Sequence, residues 1–157
     1  PYPYTWLRLG RGDHFYEIGR KTMNDKVAKE VAEAEFDRFV KSMDLDVDPS
    51  DMSEEDKEAF QQQKDRLVGA IQSGALTIND DGEPVFTPQR TKDADTLTFH
   101  EPTGASLMAM DRKKKSEDIG KLYAAMADMT RSHASTFSKM RMADLKVCMA
   151  ITTLFLG

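Results

Sequence analysis

The stretch that decides the fold is Thr96-Leu97-Thr98-Phe99-His100-Glu101-Pro102-Thr103-Gly104-Ala105-Ser106-Leu107. Apolar Leu97 and Phe99 alternate with polar residues, which is the period of a strand with one buried face. Pro102 has no backbone N–H to continue a strand, and Thr103 is a preferred residue type at a helix N-terminus. The stretch therefore predicts a short half-buried strand, a turn and then a short helix.

A β-hairpin is predicted just upstream, over residues 75–87. Its arms are apolar, and its turn is Asn79-Asp80-Asp81-Gly82, in which the glycine supplies the positive φ that tight hairpin turns require. The second arm is predicted over residues 83–87, and its Pro84 cannot donate a ladder hydrogen bond, so we predict that this arm lies at the sheet edge. A polar connector over residues 88–95 leads to the strand.

The last third of the chain is predicted to be helical. After the helix capped by Thr103 comes the basic run Arg112–Lys115, and Ser116 is predicted to cap a longer helix. Residues 131–138 are rich in Ser and Thr and predict a loop or a helix break. A final helix is predicted over residues 142–155.

Before residue 75 we predict an aromatic hairpin over residues 5–18 and two acidic helices, over residues 24–43 and 53–73. The first helix is predicted to have a loose apolar face, formed by Val27, Val31, Phe36, Phe39, Val40 and Met43. The expected fold class is α+β and mostly α-helical, with a small antiparallel sheet followed by a C-terminal helical bundle. We divide the chain into an N-terminal part, residues 1–74, and a second domain, residues 75–157.

The charge of the chain is acidic overall and unevenly distributed. The net charge is −5, which argues against a general nucleic-acid-binding protein. Residues 24–58 hold 13 acidic and 5 basic residues (5 − 13 = −8), whereas residues 111–146 hold 9 basic and 5 acidic residues (9 − 5 = +4). Two solvated helix faces would explain this asymmetry. Attraction between the two halves, or of each half to an oppositely charged partner, would explain it as well.

No pattern typical of catalysis, metal binding or cofactor binding is found. The three histidines, His14, His100 and His133, lie in separate predicted elements without metal-ligand spacing. Cys148 is the only cysteine and lies in the middle of an apolar helix, so we expect a buried thiol, no internal disulfide and a reducing cytoplasm. We therefore predict no enzyme activity, no catalytic residue, no metal and no cofactor.

We expect a soluble protein without a membrane partner. The longest strongly apolar run, residues 147–156, is about half the length of a membrane span and is interrupted by two threonines. The first residues have neither the basic nor the apolar region of a signal peptide.

Methionine is the one residue type in excess. The chain has ten, and seven of them follow residue 107. A methionine-rich surface accepts varied apolar partners, although methionine also fills gaps between short helices in a core. The four that lie near predicted helix breaks are candidates for partner binding: Met108, Met110, Met140 and Met142.

Residues 75–157 resemble the tail assembly chaperones of long-tailed phages. The resemblance is carried by the hairpin closed at Asp81-Gly82, the strand Leu97–His100, the turn Glu101-Pro102-Thr103-Gly104-Ala105 and the helical remainder. An acidic residue near the start of the closing helix, here Asp144, also fits the pattern. Residues 1–74 depart from it, since members of the family are usually shorter before the hairpin.

The resemblance implies a non-enzymatic factor of the host cytoplasm that is absent from the mature virion. Its partners would be the tape measure protein and the major tail (tube) protein, with possible self-association and no nucleic acid. We expect the partner-binding surface to include the turn residues Glu101, Pro102, Thr103 and Gly104 together with the four candidate methionines.

Two alternatives to this function stay open. The first is a structural tail or neck protein that remains in the virion, with the N-terminal aromatic residues as a docking arm. The second is a DNA-binding regulator that uses Arg112–Lys115, which the acidic net charge disfavours.

Overall fold

The computed structural model describes residues 26–157. The predicted hairpin over residues 5–18 and the predicted helix start at Asn24 lie outside the described residues. Within them the fold is mostly α-helical α+β, as predicted. Its elements are α1 (Lys29–Ser42), α2 (Glu54–Gln72), β1 (Leu76–Ile78), β2 (Pro84–Phe86), β3 (Leu97–Thr98), α3 (Gly104–Asp111), α4 (Asp118–Thr130), α5 (Ala134–Ser138) and α6 (Met142–Leu156), with a 3-10 turn at Pro49–Asp51.

The three strands form an antiparallel sheet in the order β1-β2-β3. Leu76 pairs with Phe86 across the hairpin, and Phe86 pairs with Leu97 on its other side. The strand that contains Pro84 is therefore the central one, and the prediction of an edge strand is wrong. The sheet tolerates this proline because it is the first residue of its strand, where one missing donor does not interrupt a continuous ladder.

The hairpin turn is closed in the predicted way. Gly82 has a φ of +81°, and the side-chain oxygen of Asn79 accepts hydrogen bonds from the backbone N–H groups of Asp81 and Glu83 at 3.0 and 2.9 Å. A Cβ at position 82 would collide with the side chain of Ser42 on α1. The glycine therefore meets both a backbone requirement and a packing requirement.

The alternating pattern after residue 96 is confirmed. The exposed fractions of Leu97 and Phe99 are 5% and 0%, whereas Thr98 and His100 are half-buried. The ladder continues beyond β3, because the N–H of Phe99 donates to the carbonyl of Pro84 at 2.8 Å. The N–H of His100 instead donates to the carbonyl of Met129 at 3.0 Å, which ties the end of the strand to α4.

Helix α1 packs through most of its predicted apolar face, except at Val31. Ala32, Phe36 and Phe39 are buried, at the i, i+4 and i+7 positions of one face. Val31 is 54% exposed, so its predicted place in the core is wrong. The physical reason is that one residue of helix is a rotation of about 100°, which turns Val31 away from the stripe that begins at Ala32.

Helix α2 has the predicted boundaries. The Ser53 hydroxyl accepts a hydrogen bond from the N–H of Asp56 at 3.1 Å and so caps the first turn. Gly74, just after the helix, has a φ of +82°, the left-handed conformation that ends many helices.

A single hydrophobic core extends across residue 74. Buried side chains from α1, α2, the sheet, α4, α5 and α6 belong to one cluster. The rings of Phe39 on α1 and Phe155 on α6 meet edge to face, with their centroids 5.4 Å apart. The domain boundary drawn from the sequence at residue 74 therefore does not separate two cores among the described residues.

The C-terminal helices differ from prediction at two points. Ser116 does not cap α4, since Glu117 is the cap residue and makes no side-chain capping bond. The predicted break does occur at Arg131, with a φ of +53°, but the short helix α5 follows it. The α5 helix forms because Phe137 is fully buried in the core, and this packing outweighs the poor helix propensity of its Ser and Thr residues.

The connector between β2 and β3 is held by Asp144 in the first turn of α6. Asp144 is only 3% exposed, and its carboxylate accepts hydrogen bonds from the N–H groups of Gln89, Arg90 and Thr91 at 3.0, 2.9 and 2.7 Å. The Thr91 hydroxyl donates a fourth bond at 2.7 Å. Burial alone raises the pKa of Asp144, but these four bonds outweigh it and lower the pKa below 3.8.

Replacing Asp144 with Ala is expected to lower the free energy of unfolding by roughly 3 kcal/mol, because three backbone donors would lose their charged acceptor. Urea denaturation at neutral pH measures the change. Glu58→Ala is the matched control, since Glu58 is an exposed acid of α2, and it should shift the free energy by less than about 0.5 kcal/mol. Equal effects of the two substitutions would contradict the clamping role of Asp144.

Candidate partner-binding site

Helix α3 leaves most of its apolar side chains uncovered. Of its eight residues only Ser106 is buried. Leu107 and Met108 are 62% and 61% exposed, and Met110 is half-buried. A short, largely apolar helix with a polar residue as its buried contact is typical of a surface that a partner covers. We call Leu107 and Met108 the α3 surface.

Polar contacts fix α3 against α4. The Thr103 hydroxyl accepts from the N–H of Ala105 at 3.2 Å, and the Ser106 hydroxyl accepts from the N–H of Thr103 at 3.1 Å. These bonds form the predicted threonine cap. The Ser106 hydroxyl also donates to the Asp128 carboxylate at 2.5 Å. Because polar groups hold the inner side of α3, its apolar side chains are left for the outer side.

The strand that leads into α3 is anchored by a hydrogen bond between the side chains of His100 and Glu83. His100 Nδ1 lies 2.7 Å from Glu83 Oε2, and these side chains are 30% and 17% exposed. Burial alone raises the pKa of Glu83, but hydrogen bonds from Asn79 and His100, with the nearby charges of His100 and Arg131, outweigh it and lower the pKa below 4.5. The pair joins the hairpin to the start of the turn.

A cationic segment lies between α3 and α4. The four residues Arg112–Lys115 are all exposed. Ser106, early in α3, contacts Asp128, late in α4, so the two helices run antiparallel and this segment lies at the end of their hairpin. Ile119, in the first turn of α4, is 58% exposed. Apolar and cationic side chains thus occur together on one helical hairpin.

The four candidate methionines do not share a surface. Met140 is only 7% exposed, and its Sδ lies 3.6 Å from the Sγ of Cys148. The expectation that Met140 is exposed is wrong, because the short α5 helix carries it into the core. Met142 is 61% exposed, but it lies in α6. Met108 is therefore the candidate methionine exposed on α3.

The turn residues lie on two different features. Thr103 and Gly104 are exposed at the start of α3, whereas Glu101 and Pro102 line a groove together with the end of α6. Leu154, which lines that groove, lies twelve positions after Met142 in α6, which is about 18 Å along the helix axis. The eight residues predicted for partner binding therefore do not form one site. Sequence spacing could not reveal this, since the folding back of α6 decides it.

The described residues were also considered for a reactive thiol, a metal site and a membrane-spanning helix. Cys148 is fully buried, as predicted, and burial together with the charge of Asp144 raises the pKa of its thiol, so the reactive thiolate is disfavoured. Within residues 26–157 no group of three or more His, Cys, Asp or Glu side chains could hold a metal ion. None of the helices over this range has the length and apolar character needed to cross a bilayer.

Comparisons of the chain with protein-family models, with curated proteins and with solved structures gave no match.

Replacing Glu83 with Gln is expected to lower the free energy of unfolding by about 1 kcal/mol at pH 6, because the charged hydrogen bond to His100 becomes a neutral one. The folded-state pKa of Glu83 is lowered. Its contribution is therefore present above the ordinary pKa of 4.5 and is lost as the pH falls through the folded-state pKa.

Urea denaturation of the unchanged chain and of the Glu83→Gln variant between pH 7 and pH 3 measures the difference in their free energy of unfolding. This difference should decrease toward the acidic end of the range. A difference that stays constant over the whole range would show that the charge of Glu83 has no part in the anchoring. Glu58→Gln, at an exposed position, is the control for the loss of one surface carboxylate.

Proposed function

We propose that this chain is a non-enzymatic phage tail assembly chaperone that binds the tape measure protein through the α3 surface. On this proposal it acts in the host cytoplasm, helps to recruit tail tube subunits and leaves before the virion is complete. The observation that carries the proposal is the exposure of Leu107 and Met108, at 62% and 61%, on a helix fixed from behind by polar contacts.

The chemistry of the α3 surface suits a helical partner. An amphipathic helix exposes a stripe of apolar side chains along its length, and a flexible methionine next to a leucine can cover such a stripe reversibly. The tape measure protein is expected to be long and helical. A chaperone that covers its apolar stripe would keep it from aggregating until tube subunits arrive.

The cationic segment favours a partner that carries negative charge. Arg112–Lys115 are exposed at the end of the α3–α4 hairpin, so acidic residues that flank the apolar stripe of the partner would be attracted to it. Arginine and lysine side chains in solvent contribute more to association rate and orientation than to affinity.

The double substitution Leu107→Asp with Met108→Asp is expected to reduce co-purification of the tape measure protein at least tenfold. Two carboxylates would then have to be buried against an apolar stripe. Pull-down from cells that express both proteins measures the loss. The circular dichroism spectrum should be unchanged, because both side chains are exposed.

A second double variant, Val31→Asp with Met142→Asp, is the matched control. It adds the same charge at two apolar positions that are 54% and 61% exposed and lie outside α3. Co-purification should survive in this control. Binding that survives in the α3 variant, or is lost equally in both, would exclude the α3 surface as the site.

Mass spectrometry of purified virions tests the second part of the proposal. We expect the protein to be absent from finished particles, because a chaperone leaves when tube subunits cover its client. A stoichiometric presence in the particles would instead favour the structural tail or neck protein.

A further inference from the structure

A pair of adjoining grooves flanks the C-terminal end of α6. One groove, of about 310 Å³, lies between this end, the residues that follow α1 and the turn before α3. The other, of about 420 Å³, lies between the same end of α6, the 3-10 turn and the start of α2. Asp46 and Leu154 line both grooves, so the two are adjacent.

The floor of the two grooves is apolar. Val47, Met52 and Phe60 line the larger groove, and Leu45 and Phe155 line the smaller one. All five side chains are half-buried, so their exposed parts are available to further apolar contacts. Side chains of Leu or Phe size from a bound segment would therefore replace water over this floor.

The rim of the two grooves is acidic. It carries five carboxylates: Asp44, Asp46, Asp51, Asp56 and Glu101. Within residues 26–157 none of the five forms an ion pair, and no lysine or arginine of this range lines either groove. The carboxylates are distributed over both grooves, since Asp44 and Glu101 line the smaller one, Asp51 and Asp56 the larger one, and Asp46 both.

The acidic surface charge of the two grooves does not continue along the contact between α2 and α6. Arg66 and Lys146 line the next depression along the contact between α2 and α6. The sign of the surface charge therefore changes beyond the larger groove. This change favours one orientation of any charged segment that lies in it.

We propose that these two grooves, here called the acidic groove, bind a basic, apolar polypeptide segment. Lysines or arginines of the segment would pair with the rim carboxylates, and its large apolar side chains would cover the floor. This surface is separate from the α3 surface, and its charge is opposite to that of the cationic segment Arg112–Lys115, so the inference does not depend on the proposed function. It gives the chain two surfaces that select partners of different charge.

The test uses a fluorescein-labelled 14-residue peptide with leucine and lysine in a helical repeat, together with the same peptide in which glutamate replaces every lysine. Fluorescence anisotropy should detect binding of the lysine peptide to the full chain at 50 mM salt, whereas the glutamate peptide should leave hydrogen exchange in residues 43–60 unchanged. Hydrogen exchange should slow in residues 43–60 when the lysine peptide is bound. Failure of the lysine peptide to bind, or protection confined to other segments, would overturn the proposal.

Two double variants with the same change in net charge separate the groove from a general effect of acidity. Asp46→Lys with Asp51→Lys should raise the Kd of the lysine peptide at least tenfold. Glu30→Lys with Asp80→Lys, at exposed positions that do not line either groove, should raise it less than threefold. Equal losses would overturn the proposal.

Two further measurements complete the test. The α3 variant Leu107→Asp with Met108→Asp should bind the lysine peptide as the unchanged chain does, which separates this inference from the proposed function. Sedimentation velocity identifies a different occupant. If Asp46→Lys with Asp51→Lys dissociates an oligomer of this chain, a second copy fills the acidic groove and the peptide proposal is wrong.

Discussion

The carboxylate of Asp144 makes the contact on which the arrangement of this protein depends. It accepts hydrogen bonds from the N–H groups of three consecutive residues in the connector between β2 and β3. These bonds fix where β3 begins relative to α6. The sheet needs such support, because its strands have three, three and two residues, too few for a sheet to be stable in water by itself. A buried carboxylate is tolerated there because every one of these bonds also compensates for its lost hydration.

The two surfaces that we assign to binding follow from the same packing. The core uses side chains from both ends of the described chain, so α6 must fold back against α1 and α2. Its C-terminal end then lies beside the acidic residues that follow α1, and this creates the acidic groove. Helix α3 extends from the sheet through the His100 and Glu83 pair and is fixed by Ser106, which leaves Leu107 and Met108 uncovered. The acidic groove therefore exists because apolar packing folds α6 back, and the α3 surface exists because polar contacts fix α3.

The accuracy of the predictions from sequence depended on whether a feature is local. The alternation at Leu97 and Phe99, the threonine cap of α3 and the glycine at position 82 are set by neighbours in the chain, and all three are confirmed. Pro84 and Met140 were placed wrongly because their environments come from distant segments. Pro84 lies on a central strand only because β3 pairs with the far side of the hairpin, and Met140 is buried only because Phe137 draws α5 into the core.

The sequence by itself determined the fold class, the helix boundaries marked by Ser53, Thr103 and Gly74, and the buried thiol of Cys148. These depend on side-chain chemistry and periodicity within one or two helical turns. Tertiary structure alone decided which of the eight predicted binding residues lie together. Glu101 and Pro102 join the end of α6, whereas Met108 remains on α3. Proximity between segments more than forty residues apart is set by how helices share one core, and no local pattern encodes that distance.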